Sequence, residues 1–119
     1  MLEKPKILVV DDNRHNLIAM RKLLGRLNCE AIEAGSGNEA LAFCIDHDFA
    51  LVLLDVDMPG MDGYEVARLL KEEPSTQQIP IIFVTACFED QEHRLLGYKT
   101  GAVDYIQKPV DDLFLLSKA

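Results

Sequence analysis

The sequence from Phe49 to Gly63 is FALVLLDVDMPGMDG. It opens with six apolar residues, Phe49 to Leu54, and such a run is typical of a strand buried on both faces of a parallel sheet. The run ends at Asp55, and Asp62 followed by Glu65 is a capping-box pattern that predicts the start of a helix. The stretch therefore predicts a buried strand, a loop rich in carboxylates and a helix, which is the repeating unit of an α/β fold.

The same alternation of short apolar segments and longer helical segments extends over the whole chain. Strands are predicted at Lys6 to Val10, Glu30 to Ala34, Ala50 to Leu54, Pro80 to Val84 and Val103 to Ile106. Helices are predicted around Leu17 to Leu27, after Ser36, from Asp62 to Pro74, at Glu89 to Tyr98 and at Asp111 to Lys118. Five strands alternating with five helices predict a doubly wound α/β fold with helices on both faces of a parallel sheet.

Length and composition restrict the classes of protein that remain. The 119 residues suit a single domain over positions 1–119, and the net charge of −8 argues against direct contact with nucleic acid. The apolar runs are far shorter than the 18 or so residues of a membrane span, and the N-terminus does not have the pattern of a signal peptide. Cys29, Cys44 and Cys87 have no metal-binding spacing, which favours buried thiols in a cytoplasmic protein.

Polar residues follow four of the five predicted strands. Asp11 and Asp12 come after the first strand, Asp55 after the third, Thr85 after the fourth and Lys108 after the fifth. Each has an ordinary structural explanation when taken alone, such as a helix N-cap for Asp12, but the carboxyl ends of parallel strands share one edge, where such folds bind ligands. Three clustered carboxylates require a cation, and hard oxygen ligands favour Mg²⁺ together with a phosphoryl group. Asp55, on the middle strand, is the candidate nucleophile.

Four motifs closely resemble those of the receiver domain of two-component response regulators, and the match covers essentially the whole chain. They are Asp11-Asp12, Leu53 to Gly63, Thr85-Ala86 and Asp104 to Pro109. The resemblance implies a flavodoxin-like (βα)5 three-layer sandwich with a five-stranded parallel sheet of order 2-1-3-4-5. The chain also resembles receiver domains that form part of hybrid sensor kinases or multidomain regulators.

The resemblance also implies a site and a phosphodonor. Asp55 would accept a phosphoryl group from the phosphohistidine of a histidine kinase or a histidine phosphotransfer protein. Mg²⁺ would be held by Asp12, Asp55 and the backbone carbonyl of Asp57, with Asp11 orienting water beside the ion. Thr85 and Lys108 would complete the catalytic set around the phosphoryl oxygens.

A phosphorylation-dependent switch is the third implication. Thr85 and Tyr105 would move after phosphorylation and change the face formed by the fourth helix, fifth strand and fifth helix, about Glu89 to Lys118. That face would control an output domain or partner protein, and a second copy of the chain is a further candidate partner. The chain would catalyse its own phosphorylation and dephosphorylation without being a turnover enzyme on an external substrate.

Three other functions compete with this interpretation. Leu53 to Asp57 also resembles the nucleophile motif of haloacid-dehalogenase-type phosphatases, but those enzymes have this motif on the first core strand and their acidic pair last. A flavodoxin-like cofactor module would offer hydroxyls after the first strand, whereas Asp11 and Asp12 would repel a phosphate. A purely structural role would require loss of the acceptor, the lysine or the acidic pair, and all of them are present. No Gly-rich phosphate loop is present, and Gly60, Gly63 and Gly101 are interpreted as turn residues.

Overall fold

The computed structural model describes residues 4–56, 58–85 and 104–107. In this part of the chain the elements are β1 (Lys6–Val10), α1 (Arg14–Leu24), β2 (Glu30–Ala34), α2 (Gly37–Asp46), β3 (Leu51–Asp55), α3 (Gly63–Glu72), β4 (Ile81–Thr85) and β5 (Asp104–Gln107). The five strands form one sheet of order β2-β1-β3-β4-β5, and each neighbouring pair is parallel. The predicted sheet order is therefore confirmed. The helices predicted at Glu89 to Tyr98 and Asp111 to Lys118 lie outside the described residues.

The first two strands have the predicted bounds, whereas the other three begin and end one residue later than predicted. At the start of β4 the reason is that Pro80 has no N–H to donate, although its carbonyl accepts from Val52 N–H at 3.0 Å. At the other end the pairing continues, with Asp55 opposite Val84 and Thr85 opposite Gln107. Asp55 and Thr85 are consequently the last residues of their strands, where the ladder holds their backbones.

The sheet is covered on both faces. Val52 and Leu54 of β3 belong to one core cluster, which includes residues of α2 and α3, while Leu51 and Leu53 belong to a second cluster with residues of α1. This division follows from the two-residue period of a strand, which sends successive side chains to opposite faces. β3, which is apolar from Leu51 to Leu54, thus contributes to two cores and is buried along its whole length.

The edge strand and the central strand differ in burial. β2 lies at the edge of the sheet, and of its five residues only Ala34 is fully buried. Ala31, Ile32 and Glu33 are all half-buried, so the side chains of this edge strand do not alternate between a buried and an exposed face. α1 buries Leu17, Met20 and Leu24 and ends at Leu24, before Leu27, where the sequence predicts its end.

Side-chain caps start the two helices next to β3 at the predicted positions. Ser36 Oγ accepts the Glu39 N–H at 3.1 Å, and Asp62 Oδ1 accepts the Glu65 N–H at 2.9 Å. Each cap contributes about 1 kcal/mol by satisfying a backbone donor that the helix leaves without a partner. α3 ends at Glu72, before Pro74, as a proline stop predicts.

The described residues contain no helix long and apolar enough to cross a bilayer. Cys44 is buried and Cys29 half-buried, and neither forms a disulfide. Burial raises the pKa of the Cys44 thiol to about 11, so the thiol is protonated at neutral pH. The buried-thiol prediction is confirmed for Cys44, whereas Cys87 lies outside the described residues.

Candidate functional site

Asp11 lies directly after β1 and is held through both its backbone and its side chain. Its N–H donates to the carbonyl of Ala34 at 3.0 Å, which extends the pairing of β1 with β2. Its Oδ1 accepts the N–H of Asn13 at 2.9 Å. Asp11 is only 5% exposed, so this residue is buried at the edge of the sheet.

Asp12 has an exposed carboxylate next to Asp11. A helix-capping role would account for it, but Asn13 is the N-cap of α1, and its side chain accepts the N–H of His15 at 2.9 Å and of Asn16 at 3.4 Å. Because Asn13 satisfies these donors, the structure does not require Asp12 as a cap.

Asp55 is the last residue of β3, the central strand, which pairs with β1 on one side and β4 on the other. Its side chain is 4% exposed, although β3 is otherwise made only of Leu and Val. The sheet therefore positions one carboxylate at the middle of its carboxyl edge and places the Asp11-Asp12 pair at the end of the adjacent strand.

These three side chains form one cluster. One carboxylate oxygen each of Asp11, Asp12 and Asp55 lies within 4.8 Å of the other two. Within the described ranges this is the only group of three or more His, Cys, Asp or Glu side chains close enough to share a metal ion. The prediction that Asp11, Asp12 and Asp55 meet at the carboxyl edge is confirmed.

The cluster has the electrostatic character of a cation site. Two unit charges 4.8 Å apart repel by about 3.5 kcal/mol at an effective dielectric constant of 20, and the cluster contains three such pairs. A divalent ion between the carboxylates replaces repulsion by attraction. Carboxylate oxygens are hard donors that suit Mg²⁺, which commonly takes one or two carboxylates and keeps several waters.

The remaining predicted site residues are only partly described. Thr85 ends β4, and its backbone is opposite Gln107 at the end of β5, on the same edge as Asp55. Tyr105 is opposite Phe83 in the ladder between β4 and β5. Asp57 and Lys108 lie outside the described residues.

The prediction that Gly63 is a turn residue is wrong, whereas the same prediction for Gly60 is confirmed. Gly60 is a turn residue, with a φ of 77°, as predicted. Gly63 is instead the first residue of α3, is buried, and lies directly against the backbone of Asp55. The available signal was its position after the capping residue Asp62, which places Gly63 inside the helix. Gly101 lies outside the described residues.

Comparison with known proteins is consistent with this geometry. The family model described as "Response regulator receiver domain" matches residues 7–119. The chain belongs to the response regulator receiver domain family. This receiver domain is 39% identical to response regulator PleD of Caulobacter vibrioides over 113 residues, which are 95% of the chain and 25% of PleD. It is 34% identical to protein PilH of Pseudomonas aeruginosa over 112 residues, which are 93% of the chain and 91% of PilH.

Solved structures give the same result. The chemotaxis protein CheY4 of Vibrio cholerae matches with a TM-score of 0.92 at 28% identity, covering 98% of this chain and 96% of that chain. The regions matched in the two relatives differ in extent, because the chain spans about a quarter of the length of PleD and nearly all of PilH. As a receiver domain it functions in two-component signalling, where phosphorylation operates a switch, and receiver domains bind Mg²⁺ at an acidic pocket of this kind. The family match excludes the phosphatase and flavin-module alternatives.

Proposed function

We propose that Asp55 is the phosphoacceptor of this receiver domain and that its reaction depends on Mg²⁺ bound beside it. The observation that carries the proposal is the meeting of Asp11, Asp12 and Asp55 within 4.8 Å at the carboxyl edge of the sheet. Strands distant in sequence bring the three carboxylates together, and a cation bound between them would offset their mutual repulsion.

The three carboxylates have different surroundings, which suit them to different roles. Asp55 is buried on the central strand, where its backbone pairs with β4, and a nucleophile benefits from such a fixed position. One oxygen of Asp11 accepts the Asn13 N–H, which orients this carboxylate for holding water beside the ion. Asp12 is exposed and is suited to hold the ion from the solvent side.

We assign the Mg²⁺ ligands to Asp12, Asp55 and the backbone carbonyl of Asp57. When bound, Mg²⁺ supplies positive charge that offsets the carboxylates and the phosphoryl oxygens. A carboxylate oxygen of Asp55 forms a bond to phosphorus as the bond from phosphorus to the imidazole nitrogen of the donor breaks. The nitrogen keeps the electron pair of that bond, and because the other ring nitrogen of the donor carries a proton, the leaving group is neutral imidazole.

Thr85 and Lys108 complete the proposed reaction from the ends of β4 and β5. The Thr85 hydroxyl donates a hydrogen bond to one phosphoryl oxygen, and the Lys108 ammonium neutralises another. Phosphorylation adds close to two negative charges, and Thr85 and Tyr105 carry this change to the surface of about Glu89 to Lys118. Water later attacks the phosphorus, which releases inorganic phosphate and restores Asp55.

The proposed partners follow from these roles. The phosphodonor is a histidine kinase or a histidine phosphotransfer protein, and an output domain or separate protein binds the switched surface. Because the matched region is a quarter of PleD but most of PilH, the similarity is compatible with either kind of output. We place the reaction in the cytoplasm and treat positions 1–119 as one receiver unit that is not a turnover enzyme on an external substrate.

The test uses acetyl phosphate as a small phosphodonor and intact-protein mass spectrometry as the readout. With Mg²⁺ the wild-type chain should gain one phosphoryl group, and with a chelator it should gain none. Asp55→Asn should gain none under either condition. Asp48→Asn is the matched control, because Asp48 is exposed and precedes the opposite end of β3. Modification of Asp55→Asn to the wild-type extent would contradict the proposal.

A further inference from the structure

Gly63 joins the start of α3 to the strand that carries Asp55. It is the first residue of the helix, directly after the capping residue Asp62, and it is buried. Its N–H donates to the carbonyl of Val56, the residue after Asp55, at 2.9 Å. The helix therefore begins in direct contact with the end of β3.

This contact leaves no room for a side chain at position 63. A Cβ atom on Gly63 would collide with the carbonyl oxygen of Asp55 and would lie 2.9 Å from both the carbonyl carbon of Asp55 and the Cα of Val56. All three are backbone atoms, so no side-chain rotation relieves the contact. The φ angle of Gly63 is not positive, so its backbone conformation is open to alanine and the contact alone requires glycine.

Gly37 shows that the requirement at Gly63 is specific to the backbone of Asp55. Gly37 is also buried and is the first residue of a helix, α2, after the capping residue Ser36. A Cβ atom there would lie 2.7 Å from Val66 Cγ2 and 3.0 Å from Met61 Sδ, which are side-chain atoms and do not belong to the backbone of Asp55. The two glycines thus match in helix position and burial but differ in what they touch.

We infer that Gly63 is a positioning residue for phosphoryl transfer, because its missing Cβ lets α3 fix the backbone of Asp55 in register with Asp11 and Asp12. The inference rests on the proposed function of Asp55. A Cβ atom at 2.9 Å would have to move the strand end by roughly 0.5 to 1 Å to reach ordinary carbon contacts of 3.5 to 4 Å. A misplacement of about 1 Å can lower a rate about 100-fold when the reaction depends on positioning.

The experiment compares Gly63→Ala with Gly37→Ala in the same chain. The maximal rate of Asp55 modification by acetyl phosphate is measured at saturating Mg²⁺, and Mg²⁺ affinity is measured separately by calorimetry. Gly63→Ala should lower the maximal rate about 100-fold and weaken Mg²⁺ binding, because both depend on where the Asp55 carboxylate lies. Gly37→Ala should retain the wild-type rate and affinity.

Circular dichroism establishes that each variant is folded at the temperature of the assay. If Gly63→Ala is partly unfolded, the assay is repeated in trimethylamine N-oxide, which favours the folded state. Failure to fold even there would overturn the inference, since the whole core and not the acceptor would then depend on Gly63. Equal losses of rate in the two alanine variants would overturn it as well.

The outcomes separate this inference from the proposed function. If the wild-type chain is not modified, or if Asp55→Asn is modified as the wild type is, the proposed function fails and the inference fails with it. If the wild-type chain is modified at Asp55 and folded Gly63→Ala reacts at the same rate, only the positioning role of Gly63 is contradicted.

Discussion

Two regions of this molecule bury polar side chains to the same degree, but the groups that these side chains contact are different. Thr76, in the segment of residues 73–80 that connects α3 to β4, is 6% exposed, and Asp55 is 4% exposed. The Thr76 hydroxyl donates to the carbonyl of Leu70 at 2.6 Å, whereas Asp55 lies in a cluster of like charges with Asp11 and Asp12. Burial of a polar group is therefore not by itself a sign of function, and the sign of the charge on its neighbours is more informative.

The segment of residues 73–80, which we call the α3–β4 connection, pairs donors with acceptors. Lys71 Nζ donates to the carbonyls of Gln77 at 3.0 Å and Ile79 at 2.8 Å, and Thr76 Oγ1 also approaches the carbonyl of Glu73 at 3.4 Å. Hydrogen bonds that satisfy buried groups stabilise the fold. In the aspartate cluster the folded state holds three carboxylates within 4.8 Å of one another, and their mutual repulsion opposes folding.

The largest effect that separates the two regions is expected at Thr76. Thr76→Val keeps the shape of the side chain but leaves the buried carbonyl of Leu70 without this donor, which should lower the free energy of unfolding by about 1 to 3 kcal/mol. Phosphorylation of the folded protein should be unchanged. Urea unfolding measures the loss, and Thr76→Ser, which keeps the hydroxyl, is the control. A Thr76→Val protein as stable as the wild type would contradict the stabilising role of the hydrogen bond from Thr76 to Leu70.

The second effect has the opposite sign. Asp12→Asn removes one charge from the cluster, so in a chelator it should raise the free energy of unfolding by about 1 kcal/mol, a value reduced by solvent screening at this exposed position. Added Mg²⁺ should stabilise the wild type more than the variant, because a ligand stabilises the state that binds it. Thermal melts with and without Mg²⁺ test both statements. If Asp12→Asn and Asp48→Asn changed the free energy of unfolding in a chelator and the stabilisation by Mg²⁺ to the same extent, the cluster would not be a site of repulsion.

The smallest effect concerns the pH dependence of the α3–β4 connection. Burial lowers the pKa of Lys71 below its ordinary value of 10.5. Between the lowered value and 10.5 the unfolded chain binds more protons at this group than the folded chain does, so the contribution of Lys71 to stability rises with pH in that window. The neutral amine still donates hydrogen bonds.

Urea unfolding at several pH values, compared between the wild type and Lys71→Arg, measures this contribution. The guanidinium of arginine stays protonated, so the variant should lack the rise. Identical pH profiles would show that Lys71 titrates in the folded state as it does in the unfolded chain.

The sheet and the aspartate cluster could be predicted from the sequence because both follow from local patterns. A strand such as β3 needs apolar residues at every position when both faces are covered, and the first polar residue then marks the carboxyl edge. Ser36 and Asp62 are followed three residues later by glutamate, and the structure has the caps that this spacing predicts.

The role of Gly63 could not be predicted in the same way. A sequence pattern indicates which face of an element is buried, but it does not give the distance between the start of α3 and the backbone of β3. The one-residue shift of β3 and β4 has a similar origin, because Asp55 and Thr85 are polar yet remain paired with Val84 and Gln107 in the ladder. Both features depend on tertiary contacts between backbones.

The most direct measurement is the position of the phosphoryl group in the wild-type chain. After reaction with acetyl phosphate and Mg²⁺, borohydride reduction converts an aspartyl phosphate to homoserine, and tandem mass spectrometry of the peptides locates the converted residue. Our account predicts homoserine at position 55 and an unmodified side chain at Asp11 and Asp12. Conversion at Asp11 or Asp12, with Asp55 intact, would contradict it.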